Sequence, residues 1–195
     1  MNPVSIVQLH HAMEVLSIGG IIAYPTEAVY GLGCDAYNGD AVHRLLALKQ
    51  RPWHKGLILV AADMQQIAPL VDSLPTYLRD RLTASWPGPV TWVIPDPQHI
   101  MPTWIRGQHE SVAIRISNHP VVQQLCQSWG APLVSTSANY SGAVSIRSDL
   151  LLRKAKQRGQ WSELDYIISG KNSGQKNPTE IRDLMTGDAL RVSAN

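Results

Sequence analysis

The chain is predicted to be an α/β protein with one domain over residues 1–195, an open sheet with helices on its faces. Three observations carry that prediction. Short apolar runs closed by Pro or Gly alternate along the chain with stretches of helical periodicity. Hydrophobic residues make up 44% and charged residues 16%, against about 25% charged in ordinary globular chains, which excludes disorder. The 195 residues contain no repeat, low-complexity segment or linker, and a chain of that length can bury a sizeable single core.

The elements follow in order. Residues 4–18 carry Val4, Val7, Met13, Val15, Leu16 and Ile18, a helical pattern stopped by Gly19 and Gly20. Residues 20–24 form a short apolar strand closed by Pro25. Residues 25–35 mix polar side chains with glycine and read as a long loop. Asp40 is placed to cap a helix running to Lys49, and Pro52 ends that region. Residues 57–61 read as a buried strand, 63–71 and 75–85 as short helices, 86–89 as a turn and 90–94 as a strand. Residues 95–110, rich in Pro, His and Gln, read as a surface loop. Residues 111–116 alternate as a half-buried strand does, and 119–129 form a helix stopped by Gly130. Residues 133–137 are a strand opening into a polar loop, and 148–158 a helix with Ser148 at its cap. A strand at 164–168, a polar loop at 169–179 and a hairpin of 181–185 with 189–192 complete the chain. Polar or glycine-bearing loops follow several strands, where ligands sit in open α/β sheets.

Several chemistries are excluded. Net charge is +2, with 17 basic and 15 acidic residues, so anion binding requires local clustering rather than a basic tail. Cys34 and Cys126 cannot build a disulfide framework or a four-ligand zinc site. The N-terminal segment lacks a basic, then apolar, leader pattern, and no run approaches about 18 apolar residues. A cytoplasmic location without membrane attachment is therefore expected, and the NYS triplet at 139–141 is not expected to be glycosylated. No phosphate-binding G-x-x-x-x-G-K-[ST], dinucleotide G-x-G-x-x-G or hydrolase G-x-S-x-G occurs. The seven histidines are scattered, and no metal site is expected.

Four clusters carry chemistry. Lys49, Arg51 and Lys55 place three cations at a helix end and the loop beyond it, which suits a polyphosphate. The helix dipole alone accounts for Lys49 but less well for the other two. The STSANYSG run at 135–142 offers hydroxyls and an amide for phosphate or ribose, or else a capped polar turn. Arg115 is a charge in an otherwise apolar strand and needs solvent or a partner, such as a ligand carboxylate. Thr26 and Glu27 close the first strand.

Together, PTEAVYGLG (25–33), KQR (49–51), KGL (55–57), WPGPVT (86–91), SVAIR (111–115), STSANYSG (135–142) and NPTEIRD (177–183) resemble the YrdC family, in order and over about residues 6–192. The resemblance implies a YrdC-like domain whose twisted, mixed sheet forms a large concave, positively lined cavity. It implies an enzyme that joins L-threonine, bicarbonate or CO2, and ATP into threonylcarbamoyl-adenylate and pyrophosphate, with Mg²⁺ accompanying the ATP. The product would pass to a partner complex (TsaD, TsaB and TsaE) that modifies N6 of adenosine 37 in tRNAs reading ANN codons.

The resemblance also implies residue roles. Lys49 and Arg51 would act in catalysis, and with Lys55 would hold the triphosphate. Ser111, Ser137, Asn139 and Arg191 would complete the nucleotide site. Thr26, Arg115, Ser135 and Thr179 would hold threonine, with Arg115 on its carboxylate. Longer relatives place a histidine in the threonine pocket where this chain has Val60. No side chain stands out as a general base, and an anionic carbamate needs none. Two other readings stay open. A basic run of Arg147, Arg153, Lys154, Lys156 and Arg158 could contact tRNA or double-stranded RNA, or simply face solvent. Relatives of YciO type share the fold and handle a different acyl or carbamoyl group.

Overall fold

A computed structural model describes residues 4–140, 143–175, 177 and 179–192. Ser141 and Gly142 of the STSANYSG run, and Pro178, lie outside the described residues. The structure is α/β, and its described residues build a nine-stranded mixed sheet in the order β7-β1-β2-β6-β3-β5-β4-β8-β9. The strands are β1 (Ile22–Pro25), β2 (Tyr30–Gly33), β3 (Ile58–Ala61), β4 (Val90–Pro95), β5 (Ser111–Ile116), β6 (Leu133–Ser137), β7 (Tyr166–Ile167), β8 (Glu180–Asp183) and β9 (Ala189–Arg191). The pairs β1–β7, β3–β5 and β4–β8 are parallel, and the other neighbours are antiparallel.

The helices are α1 (Ile6–Ser17), α2 (Gly39–Lys49), α3 (Ala68–Val71), α4 (Thr76–Thr83), α5 (Thr103–Arg106), α6 (Pro120–Trp129) and α7 (Asp149–Gln157). Their ends have local causes. Asn38 caps α2, its Oδ1 accepting from the Ala41 amide at 3.1 Å, so the cap precedes the expected Asp40, which sits in the first turn. At α6, His119 caps the start, and Gly130 closes the end in a left-handed conformation (φ 77°).

The two-residue period of the strands sorts side chains between two faces. On one face, Tyr30, Leu32, Leu59, Trp92, Ile94, Val112, Ile114 and Val134 join residues of α2, α4, α5 and α7 in the larger core. On the other face, Ile22, Tyr24, Val60 and Leu133 pack beneath α1 and α6 in a second core. Those two helices cover only part of that face. Beyond them, Ile58, Thr91, Val93, Ser111, Ala113, Arg115, Ser135 and Ser137 line an uncovered cavity.

Two segments depart from the sequence reading. The expected loop at 25–35 contains β2, which pairs antiparallel with β1 from Pro25↔Tyr30 to Ile22↔Gly33. Half of β2 is glycine, so it offers no apolar run. The glycines are needed because a Cβ on Gly33 would meet the Val134 carbonyl oxygen at 2.3 Å and the Tyr24 ring at 2.9 Å. The expected surface loop at 95–110 contains α5 and a buried ion pair. Asp96 Oδ1 and Oδ2 accept from the amides of Ile100 and Met101 at 2.8 and 2.9 Å, and Oδ2 lies 3.6 Å from Arg106 Nε.

Candidate active site

The cavity measures about 630 Å³, within the usual size of small-molecule sites. It gathers nine of the eleven expected residues in its wall: Thr26, Arg51, Lys55, Ser111, Arg115, Ser135, Ser137, Thr179 and Arg191. Lys49 and Asn139 are not in the wall. They meet Ser137 from outside it.

At one end of the cavity, β5 delivers Arg115 opposite Val60 of β3. The guanidinium is buried and donates from Nη1 to Glu27 Oε2 at 2.8 Å. Glu27 Oε1 accepts from the Ser117 hydroxyl at 2.6 Å. Arg115 Nε is buried and has no hydrogen-bond partner among the described residues. A guanidinium binds carboxylates through two parallel N–H groups, and the edge bearing Nε is the one Glu27 leaves free.

Thr26 follows β1, and its hydroxyl donates to the Val29 carbonyl at 2.6 Å, which leaves its lone pairs to accept. Ser135 stands across from it on β6. Gly31 keeps the space between them open, because a Cβ there would lie 3.1 Å from Thr26 Cγ2 and 3.5 Å from Ser135 Oγ. Thr179 Oγ1 lies 3.5 Å from the buried Thr91 Oγ1. Val60 packs in the core beneath α1 and α6, outside the wall.

At the other end the cations lack carboxylates. Arg51 donates from Nε and Nη2 to the Gly56 carbonyl at 3.2 and 2.8 Å. That carbonyl is aimed by a tight crossing. Gly56 has φ 63° and Gly107 φ 66°, and a Cβ on Gly107 would meet His54 O at 2.5 Å. Burial draws the Arg51 guanidinium below its ordinary value. Lys55 stands exposed at the rim, and Arg191 of β9 donates to the Thr179 carbonyl at 2.7 Å. Neither Arg51, Lys55 nor Arg191 pairs with a carboxylate among the described residues.

Lys49 is buried in the last turn of α2. Its Nζ donates to the Ser137 carbonyl, and to Asn139 O and Oδ1 at 2.6 and 2.8 Å. The Ser137 hydroxyl donates to the same Asn139 Oδ1 at 2.6 Å. Burial, with the Arg51 charge second, pushes the Lys49 ammonium down to about 8. Lys49 thus shapes the end of β6, where Ser137 faces the cavity.

Sequence reasoning saw Glu27 only as closing the first strand and assigned no role to Thr91, Arg106, His109 or Asp183; all five line the cavity. Alternation carried a usable signal. Val93 pairs with Ala113 and Pro95 with Ser111, so Thr91 shares the face of Arg115. Among the described residues, five Arg or Lys side chains and two carboxylates stand in the wall, an excess of positive charge. Asp183 Oδ1 already accepts from the amides of Met185 and Thr186 at 2.8 and 3.0 Å. The basic run is partly structural. Arg153 donates to the Ile167 carbonyl at 2.8 Å, and Lys156 to the Leu164 carbonyl, tying α7 to β7.

The family model for Sua5, YciO and YrdC, described as telomere recombination, matches residues 14–193. The chain belongs to that family. A threonylcarbamoyl-AMP synthase of Pseudomonas aeruginosa is 51% identical over 180 residues, covering 92% of this chain and 94% of the relative. The crystal structure of P. abyssi Sua5 complexed with L-threonine superimposes with a TM-score of 0.83 at 29% identity. That match covers 95% of this chain, which spans about half (54%) of the Sua5 chain. E. coli YciO has a TM-score of 0.77 at 24% identity, covering 95% of this chain and 87% of YciO, a likeness of fold. Among the described residues, no helix is long and apolar enough to cross a membrane.

Proposed function

We propose that this protein is a threonylcarbamoyl-AMP synthase, converting L-threonine, bicarbonate or CO2, and ATP into threonylcarbamoyl-adenylate and pyrophosphate. The observation that carries the reading is the two-ended cavity. One end holds a carboxylate-paired Arg115 among hydroxyls, the other holds Arg51 and Lys55 without carboxylate partners among the described residues, and Arg191 reaches between them from its bond to the Thr179 carbonyl. The first suits an amino acid that is neutral overall, and the second suits a triphosphate.

In this reading Arg115 takes the threonine carboxylate through its free edge. Thr26, Ser135 and Thr179 surround the rest of the amino acid, within reach of its hydroxyl. A site that hydrogen-bonds a hydroxyl strongly rejects analogues that lack it. The threonine amine takes up CO2 to give a carbamate and loses a proton. A carbamate oxygen then attacks the α-phosphorus, the bond to the β-phosphate oxygen breaks, and pyrophosphate leaves. Charge grows on the phosphate oxygens, where Arg51, held by the Gly56 carbonyl, and Lys55 at the rim would stabilise it. Ser111, Ser137 and Arg191 hold the nucleotide, while Lys49 and Asn139 act by fixing the end of β6. Positioning and electrostatics then carry the reaction.

Mg²⁺ fits as a companion of the phosphates, which supply its oxygen ligands. Among the described residues, no group of three His, Cys, Asp or Glu side chains stands together to hold a metal. The ion would neutralise phosphate charge. The adenylate would be handed in the cytoplasm to the TsaD, TsaB and TsaE complex for tRNA modification.

A product assay tests the reading. Purified protein with ATP, Mg²⁺, bicarbonate and L-threonine should yield the threonylcarbamoyl-adenylate mass, and omission of any one substrate should abolish it. ATP binding without that product would overturn the assignment in favour of a different acyl or carbamoyl substrate.

A further inference from the structure

We infer that Glu27 is a positioning and specificity residue, which aims the Arg115 guanidinium and keeps the amino-acid end of the cavity closed to phosphate. The inference rests on the synthase reading above.

The carboxylate is 1% exposed and held on both sides. Oε2 takes Arg115 Nη1 at 2.8 Å, and Oε1 takes the Ser117 hydroxyl at 2.6 Å. The Ser117 oxygen in turn accepts the His119 amide at 3.1 Å, and the Glu27 carbonyl accepts the Gln175 amide at 3.1 Å. The side chain is therefore fixed through β5 and the start of α6, and its backbone through the loop after β7. Held at Nη1, the guanidinium is restrained in orientation, and its Nε is buried without a partner among the described residues.

Charge gives the second half of the argument. The cavity is one continuous space, five cationic side chains of the described residues stand in its wall, and in the synthase reading the triphosphate lies beside the amino acid. An unpaired Arg115 would add a further phosphate-binding guanidinium there. Paired with Glu27, Arg115 itself adds no net charge there, and Arg191 is left as the nearby cation. A zwitterion meets a fork for its carboxylate, whereas a phosphate meets a fixed carboxylate of its own sign. Specificity of this kind is set by a repulsive element as much as by attraction.

Calorimetric titration of the purified chain with L-threonine, with and without inorganic phosphate, tests the inference. In the wild type, phosphate should leave threonine affinity unchanged. In Glu27→Gln, threonine should bind at least tenfold more weakly and phosphate should compete with it, while the KM for ATP stays within about threefold. A Glu27→Gln protein that binds threonine as the wild type does, or equal phosphate competition in both, overturns the inference alone. A wild type that binds no threonine overturns the synthase reading and this inference with it. If Glu27→Gln fails to fold, Ser117→Ala keeps the charge and frees only Oε1. It should raise the threonine KM severalfold with kcat within about twofold, and an unchanged KM overturns the inference.

Discussion

Arg115 sits where a charge is hardest to hold, in the middle of a sheet with 6% of its surface exposed. A buried guanidinium is tolerated only with a partner and satisfied N–H groups. Glu27 supplies the partner, while Nε remains open among the described residues. Removing the whole side chain would strand Glu27 and cost about 3–5 kcal/mol, so Arg115→Ala confounds folding with binding. Arg115→Lys retains the charge opposite Glu27 and loses the fork. Its threonine KM should rise at least tenfold, about 1.4 kcal/mol, with the ATP KM within about threefold. Steady-state kinetics in each substrate checks this, and equal rises in both would sink the carboxylate assignment. At this scale the sequence was partly legible. A charge in an apolar strand announced itself, but its partner lies 88 residues away. Glu27 reads locally as a turn residue, and only the fold makes it a counter-ion.

Between elements, polar side chains decide where loops lie. His119 is fully buried at the start of α6. Its Nδ1 accepts the Val121 amide at 3.3 Å, and its Nε2 lies 3.2 Å from the Lys171 carbonyl. The first contact requires an unprotonated Nδ1, and the second a proton on Nε2, so the ring is neutral. Burial lowers its pKa, with the Lys171 carbonyl and Glu27 opposing and Arg115 adding to the fall. The unfolded chain therefore binds more protons between the folded value and about 6.5. Stability should fall as pH drops through that window and stay flat in this group above it. Melting temperatures from pH 7.5 to 5 check this against His119→Asn, which can cap α6 without titrating. An identical slope in both proteins would remove His119 as the cause. Legibility differed among elements for physical reasons. Strands such as β3 and β5 showed themselves as apolar or alternating runs. β2 did not, because Gly31 and Gly33 answer to Thr26, Tyr24 and Val134 across space rather than to neighbours in sequence. The 95–110 segment hid α5 for a related reason. Its Asp96 and Arg106 look solvent-exposed in sequence and are buried because backbone amides and carbonyls of the same segment satisfy them and their charges lie 3.6 Å apart.

Across the whole molecule, one face of the sheet is closed by apolar packing and the other is left partly open, so ligands can complete what α1 and α6 do not cover. Among the described residues, a buried N–H without a partner, three cations without carboxylates and a cavity of about 630 Å³ are all features that a bound ligand would improve. Binding to the folded state alone stabilises by mass action, about 2.7 kcal/mol when ligand stands at 100 times its Kd. For a chain of this length each kcal/mol moves the melting temperature by roughly 2–4 °C. Saturating L-threonine should therefore raise the wild-type melting temperature by roughly 5–10 °C, and ATP with Mg²⁺ should do so separately. The shifts should also be separable by substitution. Arg115→Lys should lose most of the threonine shift and keep that of ATP, whereas Arg51→Ala should do the reverse. A threonine shift that survives Arg115→Lys, or one abolished equally by both substitutions, would mean that the cavity is a single undivided site rather than two ends that meet.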